Sequence, residues 1–147
     1  GLLVLQNAAT RVQPLPALQL QTLEGQAVPL QRFGNGRPAI VNLWATWCPH
    51  CVREMPVLAE AQRQYPDLDI VFLDQGEDGA RVSRFLQRRG LALDNVLLDS
   101  KGEVGRHFGL RALPATLFYG RDGSLQDIRI GALSKATLQE RIERLRR

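Results

Sequence analysis

The chain has 147 residues, of which 44% are hydrophobic and 23% charged, and its formal net charge is +4. This length suffices for one domain with a buried core, and we predict a single domain over residues 1–147 with a flexible lead-in over residues 1–15. No apolar run approaches the roughly 20 residues that cross a bilayer. The chain begins at Gly1 rather than Met, so a signal peptide or N-terminal anchor could have been removed, and its absence says nothing about the native N-terminus.

The positive charge comes from arginine far more than from lysine, with 17 Arg and 2 Lys. No basic stripe with interleaved aromatic residues is present, so we expect no nucleic-acid partner. The chain ends in a cluster of arginines that suits the negative end of a helix dipole: Arg141, Arg144, Arg146 and Arg147.

The N-terminal half predicts a β-hairpin followed by a βαβ unit. Within residues 17–30, apolar and polar residues alternate on both sides of a turn at 23–26, which is typical of a hairpin. Residues 39–44 are almost uniformly apolar and predict a central strand buried on both faces. A helix over 49–64 then leads to a second buried strand over 69–73, which such a crossover makes parallel to the first.

The C-terminal half alternates helices with short strands. Its predicted elements are a helix over 79–89 ended by Gly90, an extended segment over 96–98, a short helix over 103–108, a hairpin of strands 115–119 and 125–130, and a final helix capped by Ser134.

Cys48 and Cys51 are the only cysteines of the chain and lie where the strand over 39–44 meets the helix over 49–64. A sulfur at a helix N-terminus faces unpaired N–H groups and the positive end of the dipole, which favour a thiolate. Cys51 follows one turn later on the same side and can close a disulfide with Cys48. So short a loop gains little stability from a bridge. The pair therefore predicts a redox site that exchanges disulfides with other proteins.

With these residues the chain resembles the thioredoxin superfamily, and more closely its TlpA/ResA/DsbE (CcmG) branch of extracytoplasmic thiol-disulfide oxidoreductases. The resemblance runs from about Pro16 to the C-terminus and rests on these segments: Leu20-x-x-Leu23-x-Gly25, Val41 to Cys51, Glu54-x-Pro56, Phe108 to Phe118 and Asp122-Gly123. It implies an α/β thioredoxin-like fold of three layers, with a central mixed β-sheet, helices on both faces and an added N-terminal β-hairpin.

The resemblance also implies where the protein works and with what. We expect a periplasmic or cell-envelope location, with membrane attachment through a removed N-terminal segment. The partners would be substrate proteins that carry thiols or disulfides, and a membrane redox partner of the DsbD/CcdA or DsbB type. No cofactor and no metal are implied.

The family's catalytic roles carry over to matching positions. Cys48 would attack the substrate and Cys51, the more buried thiol, would resolve the mixed disulfide. Pro114 matches the family's cis-proline, which packs beside the cysteine pair. The backbone of the preceding Leu113 would pair with a bound substrate peptide by strand addition. Trp47 would cover the site and limit access to it.

Two further positions concern proton transfer. Ordinary thioredoxins carry a buried Asp where this chain has Asn42, as is usual in the TlpA/ResA branch, and Asn cannot accept a proton from Cys51. Glu77 aligns with the acid that ResA-like proteins place near their cysteines. The resemblance therefore implies that Glu77 shuttles a proton to or from Cys51.

The dipeptide between the cysteines is Pro49-His50. It is the dipeptide of DsbA, a strong oxidant, although the surrounding frame resembles proteins that usually act as reductants. A histidine beside the thiolate stabilises the reduced form, so we expect the pKa of Cys48 to lie well below about 8.5 and the couple to be relatively oxidising.

Two alternatives share the same fold. A copper-binding or copper-delivery module could use Cys48, Cys51 and a distal histidine, but such modules normally separate their cysteines by three residues. A closed zinc site would need two more ligands. A peroxidase would need a threonine three residues before its reactive cysteine, whereas Thr46 precedes Cys48 by two.

Overall fold

The computed structural model describes residues 15–147, so the predicted lead-in lies outside the described residues except for the buried Leu15. The described elements are, in chain order, β1 (Gln19–Thr22), β2 (Ala27–Pro29), a 3-10 turn (Leu30–Arg32), β3 (Ala39–Trp44), α1 (Pro49–Gln64), β4 (Asp69–Gln75), α2 (Gly79–Arg89), β5 (Val96–Asp99), α3 (Glu103–His107), β6 (Ala115–Tyr119), β7 (Leu125–Ile130) and α4 (Lys135–Arg146).

The strands form one mixed sheet in the order β2-β1-β5-β4-β3-β6-β7. The pairs β3–β4 and β4–β5 are parallel, and every other neighbouring pair is antiparallel. The predicted hairpin of β1 and β2 joins the edge of the sheet through β5. This arrangement confirms the predicted thioredoxin-like fold.

Helices cover both faces of the sheet because the side chains of β3 alternate between two cores. Ile40 and Trp44 face a core that also contains residues of α1, α2 and α4. Val41 and Leu43 face a second core that contains Val104 of α3 and residues of the N-terminal hairpin. All six residues of β3 are buried, as the uniformly apolar run predicts.

The ends of the elements follow the predicted signals closely. Gly90 ends α2 with a φ of 62°, a left-handed conformation that suits glycine,. The Ser134 side chain accepts a hydrogen bond from the Thr137 N–H and begins α4,. β4 extends beyond the predicted residue 73, because Gln75 pairs with Asp99 of β5. The parallel pairing of β3 and β4 brings the carboxyl ends of both strands together near the start of α1.

Candidate active site

Cys48 and Cys51 form a disulfide at the N-terminus of α1, with 5.3 Å between their Cα atoms. Cys48 is the N-cap residue, and its Sγ accepts a hydrogen bond of 3.2 Å from the Cys51 N–H. Pro49 occupies the first turn, where its missing N–H costs no helix hydrogen bond,. A donor aimed at Sγ and the helix dipole both favour negative charge on the Cys48 sulfur once the bond opens.

The two sulfurs differ little in exposure while the disulfide is closed. Cys48 is 4% exposed and Cys51 is 1% exposed, so the predicted order holds, but Cys48 is much less open than a freely accessible thiol. Trp47, immediately before Cys48, is 64% exposed. Its side chain therefore offers an apolar contact surface to a partner at the edge of the disulfide.

The peptide bond between Leu113 and Pro114 is cis, as the resemblance implies. Pro114 is buried, and its carbonyl accepts a hydrogen bond of 2.8 Å from Gly131. Leu113 is half-buried and packs against the core cluster that contains both cysteines. Within residues 15–147 the backbone of Leu113 forms no hydrogen bond, so its N–H and carbonyl can pair with another strand,.

A buried carboxyl group lies on α1, one turn beyond Cys51. Glu54 is 3% exposed and accepts hydrogen bonds from the Asn42 side chain at 2.9 Å and from the Leu133 N–H at 2.5 Å. Asn42 also donates to Thr116 at 3.2 Å. Burial raises the pKa of Glu54, although the two donors partly oppose the shift,. Glu54 is therefore a buried acid on the helix that carries the cysteines.

Glu77 contacts the loop that leads into the cysteine pair. Its carboxylate accepts hydrogen bonds from the Thr46 N–H at 2.7 Å and the Thr46 hydroxyl at 2.5 Å, and it pairs with Arg81 at 2.9 Å. Partial burial opposes ionisation, but interactions with Asp74 and Thr46 and the charge of Arg81 outweigh it and lower the pKa of Glu77,. Glu77 thus holds in place the backbone two residues before Cys48.

Asp74 lies beneath this contact and is completely buried. One of its oxygens accepts a hydrogen bond of 3.1 Å from the Glu77 N–H, and the other has no partner among the described residues. Burial and the adjacent Glu77 side chain raise the pKa of Asp74 to about 8,. At neutral pH Asp74 is therefore mostly protonated, next to an ionised Glu77.

His50 is exposed at the first turn of α1, and its Nδ1 accepts a hydrogen bond from the Arg53 guanidinium. The guanidinium of Arg53 thus brings a fixed positive charge to this turn,. In the part of the chain from Leu15 onward, no group of three or more His, Cys, Asp or Glu side chains lies close enough to hold a metal.

The profile of the AhpC/TSA family matches residues 12–128. The chain belongs to the AhpC/TSA family. It is 30% identical to the thiol-disulfide oxidoreductase ResA of Bacillus thuringiensis subsp. konkukian over 133 residues, covering 88% of this chain and 75% of that protein. It is also 30% identical to the thiol:disulfide interchange protein DsbE of Pasteurella multocida over 132 residues, covering 89% and 72%.

A solved structure with the same fold is that of a secreted Mycobacterium tuberculosis disulfide oxidoreductase described as homologous to E. coli DsbE. Its TM-score is 0.77 and its identity 25%, over 88% of this chain and 96% of that one. With its closed cysteine pair, this member of the family is an oxidoreductase of the thioredoxin-like type. None of the helices within residues 15–147 is both long and apolar enough to cross a membrane.

The sequence interpretation missed two acids of this site. In the sequence, Glu54 enters only as part of the Glu54-x-Pro56 motif, with no role attached to it. The signal for Glu54 was its spacing of three residues from Cys51, which places both on one side of the helix. Asp74 gave a weaker signal, because it follows the predicted strand over 69–73 and only the register with Trp44 buries it.

Proposed function

We propose that this chain catalyses thiol–disulfide exchange with substrate proteins, with Cys48 as the sulfur that meets the substrate and Cys51 as the resolving sulfur. A substrate thiolate attacks the Cys48 sulfur, the Cys48–Cys51 bond breaks, and Cys51 leaves as a thiolate. A second substrate thiolate then displaces Cys48, and the substrate becomes a disulfide as the enzyme becomes a dithiol. The observation that carries this assignment is the Cys48 sulfur capping α1 and facing the Cys51 N–H.

Leu113, Pro114 and Trp47 are proposed to bind the substrate chain. Strand addition needs a backbone segment with unused donors and acceptors, and Leu113 supplies one against the core that contains the cysteines,. Pro114 has no N–H to donate to a neighbouring strand, and only its carbonyl is hydrogen-bonded, to Gly131,. Trp47 adds an exposed apolar surface beside Cys48.

The proton that Cys51 gains or loses needs an acceptor or donor. The resemblance assigned this role to Glu77, and that assignment stays a prediction. The contacts of Glu77 with Thr46 and its lowered pKa support a positioning role more directly. Glu54 is the better placed acid, because it lies one turn from Cys51 on the same helix and its pKa is raised,.

The couple is proposed to be relatively oxidising. A positive charge near the Cys48 thiolate stabilises the reduced form. Arg53 brings that charge to the first turn of α1 through its hydrogen bond with His50. Thiolate absorbance measured against pH tests the proposal: we expect a midpoint for Cys48 well below about 8, and a midpoint above that value would contradict it.

The proposed location is outside the cytoplasm, in the periplasm or cell envelope, where disulfides persist. The M. tuberculosis neighbour described as secreted supports this location. There the enzyme would exchange electrons with a membrane partner of the DsbD/CcdA or DsbB type, through the same cysteine pair.

Equilibration with glutathione is the decisive measurement. Wild type is expected to reach a defined reduction potential, with values near about −120 mV for an oxidant and near about −270 mV for a reductant. Cys51→Ser should trap a mixed disulfide with a peptide disulfide, because the Cys48 thiolate attacks it, one peptide sulfur leaves as a thiolate, and no resolving thiol follows; Cys48→Ser should trap none. Failure of wild type to exchange with any peptide thiol, or stoichiometric copper on the reduced protein, would overturn the assignment.

A further inference from the structure

A groove of about 460 Å³ runs along α2 beside the loop that enters the cysteine pair. We call it the arginine groove, and its lining residues are Thr46, Arg81, Arg84, Phe85, Arg88 and Arg89. All four arginines are exposed. The groove is thus a concentrated positive surface next to the proposed catalytic sulfur.

Most of this positive charge has no acidic partner. Arg81 pairs with Glu77 at 2.9 Å. Arg84, Arg88 and Arg89 form no ion pair with any residue of the described range 15–147. Arg89 instead lies 5.1 Å above the ring of Phe85, which holds its guanidinium at the groove,.

The arginines of α4 provide the contrast. They pair with carboxylates at 2.6 to 3.1 Å, and the pairs are Arg141–Asp127, Arg144–Glu140 and Arg146–Asp67. Arg63 and Arg121 also form no ion pair with a described residue, so the lack of an acidic partner is not confined to the arginine groove. What distinguishes the arginine groove is that four guanidinium groups line one cavity, which concentrates their charge where a group outside the chain can reach it.

Helix electrostatics do not account for the groove either. Cations stabilise the last turn of a helix, which covers Arg88 and Arg89 but not Arg84 in the middle of α2,. Arg84 and Arg88 are four residues apart, a spacing at which like charges repel. The Gly79–Arg89 helix contains no acidic residue to offset that repulsion. The repulsion between these arginines therefore destabilises the isolated protein, and an anionic partner would relieve it.

We infer that the arginine groove binds an acidic segment of the partner protein, adjacent in sequence to the partner cysteine that exchanges with Cys48. Thr46 lines the groove and precedes Cys48 by two residues, which span at most about 7 Å,. An extended partner chain that runs from Cys48 toward Thr46 would bring its residues two to four positions from the exchanging cysteine to the groove. Asp and Glu at those positions would meet Arg84 and Arg88.

This inference rests on the proposed function and adds selectivity to it. Complementary charge steers encounter and raises the association rate, and the effect falls as salt screens it. The chemistry is unchanged: the partner thiolate attacks the Cys48 sulfur, and Cys51 leaves with the electron pair of the broken disulfide.

The test uses three dithiol peptides that differ only in the residues flanking the cysteines. These residues are acidic in the first peptide, neutral in the second and lysine in the third. Oxidised wild type is mixed with each peptide, and reduced wild type with each peptide disulfide, and the second-order rate is measured. At an ionic strength of about 10 mM we expect the acidic peptide to react on the order of tenfold faster than the lysine peptide. At about 1 M the difference should disappear.

Arg84→Glu/Arg88→Glu should reverse this preference. Arg84→Gln/Arg88→Gln should abolish it, and this variant replaces the first one if the charge reversal impairs folding. The matched control is Arg63→Glu/Arg121→Glu, which changes the net charge equally. Arg63 is at the far end of α1, and Arg121 follows β6 at the end of the sheet that carries Ala39. The control should keep the wild-type preference.

Each outcome separates this inference from the proposed function. If the neutral peptide does not react, the proposed function fails. If the neutral peptide reacts but the acidic and lysine peptides react alike, or the control variant loses the preference as well, this inference alone fails. Equal rates together with binding to anionic phosphatidylglycerol vesicles would assign the groove to a lipid surface and overturn it too.

Discussion

Replacing Asp74 with Asn should change how stability depends on pH. The pKa of Asp74 is raised to about 8 by burial and by Glu77, against an ordinary value of 3.8. Between these values the unfolded chain has lost the proton that the native state retains. The native state binds more protons, so the free energy of unfolding falls as pH rises through this window.

The size of the effect follows from the width of that window. One pH unit corresponds to about 1.4 kcal/mol, so between about pH 4 and about pH 7 the wild type loses on the order of 4 kcal/mol through Asp74. Asn is neutral at every pH and its Oδ1 can still accept from the Glu77 N–H. Asp74→Asn should therefore be more stable than wild type at pH 7 by an amount approaching that value, and the advantage should vanish near pH 4.

Urea denaturation of the oxidised proteins at intervals from pH 4 to pH 8 measures the difference. Titrating groups that do not contact Asp74 cancel between the two proteins. Glu77 has a lowered pKa, so its stabilising contribution is complete above its unfolded value and is lost only at lower pH,. Asp94→Asn, the same substitution at an exposed position, is the matched control for the change of side chain. A gap between Asp74→Asn and wild type that stays constant across this range would refute the reasoning.

Three further predictions concern the site and its support. Glu54→Gln should lower the free energy of unfolding by about 1–3 kcal/mol in urea titrations, because its new amide would face a donor such as Asn42; unchanged stability would contradict the buried contact,. Trp47→Ala should leave stability within about 0.5 kcal/mol but raise the KM for protein substrates and not for a small thiol, since the side chain is 64% exposed; equal effects on both substrates would exclude a docking role,. Gly79→Ala should lower the thermal midpoint, because a Cβ there would lie 2.2 Å from the Leu23 carbonyl oxygen; Gly105→Ala, whose Cβ would meet its nearest neighbour at an ordinary 3.5 Å, controls for the loss of a glycine, and similar midpoints for both variants would contradict the close approach.

Most of the fold could be predicted because its signals are local. The apolar run of β3, the ending of α2 at Gly90 and the capping of α4 by Ser134 each depend on residues within a few positions of one another, and the structure confirms them. The cysteine pair was equally local, since two thiols separated by two residues at a strand–helix junction can hardly lie apart. For these features the sequence by itself determined both the element and its place.

The acids of the site could not be predicted in the same way, because their properties depend on residues distant in the chain. Glu54 is buried against Leu133, 79 residues later, and Asp74 is buried through its pairing with β3. The ion pairs of the α4 arginines, and the lack of one at Arg84, Arg88 and Arg89 within residues 15–147, likewise depend on which carboxylates folding brings near. Desolvation and charge act through space, so only the tertiary structure decided which acids are protonated and which arginines remain free for a partner.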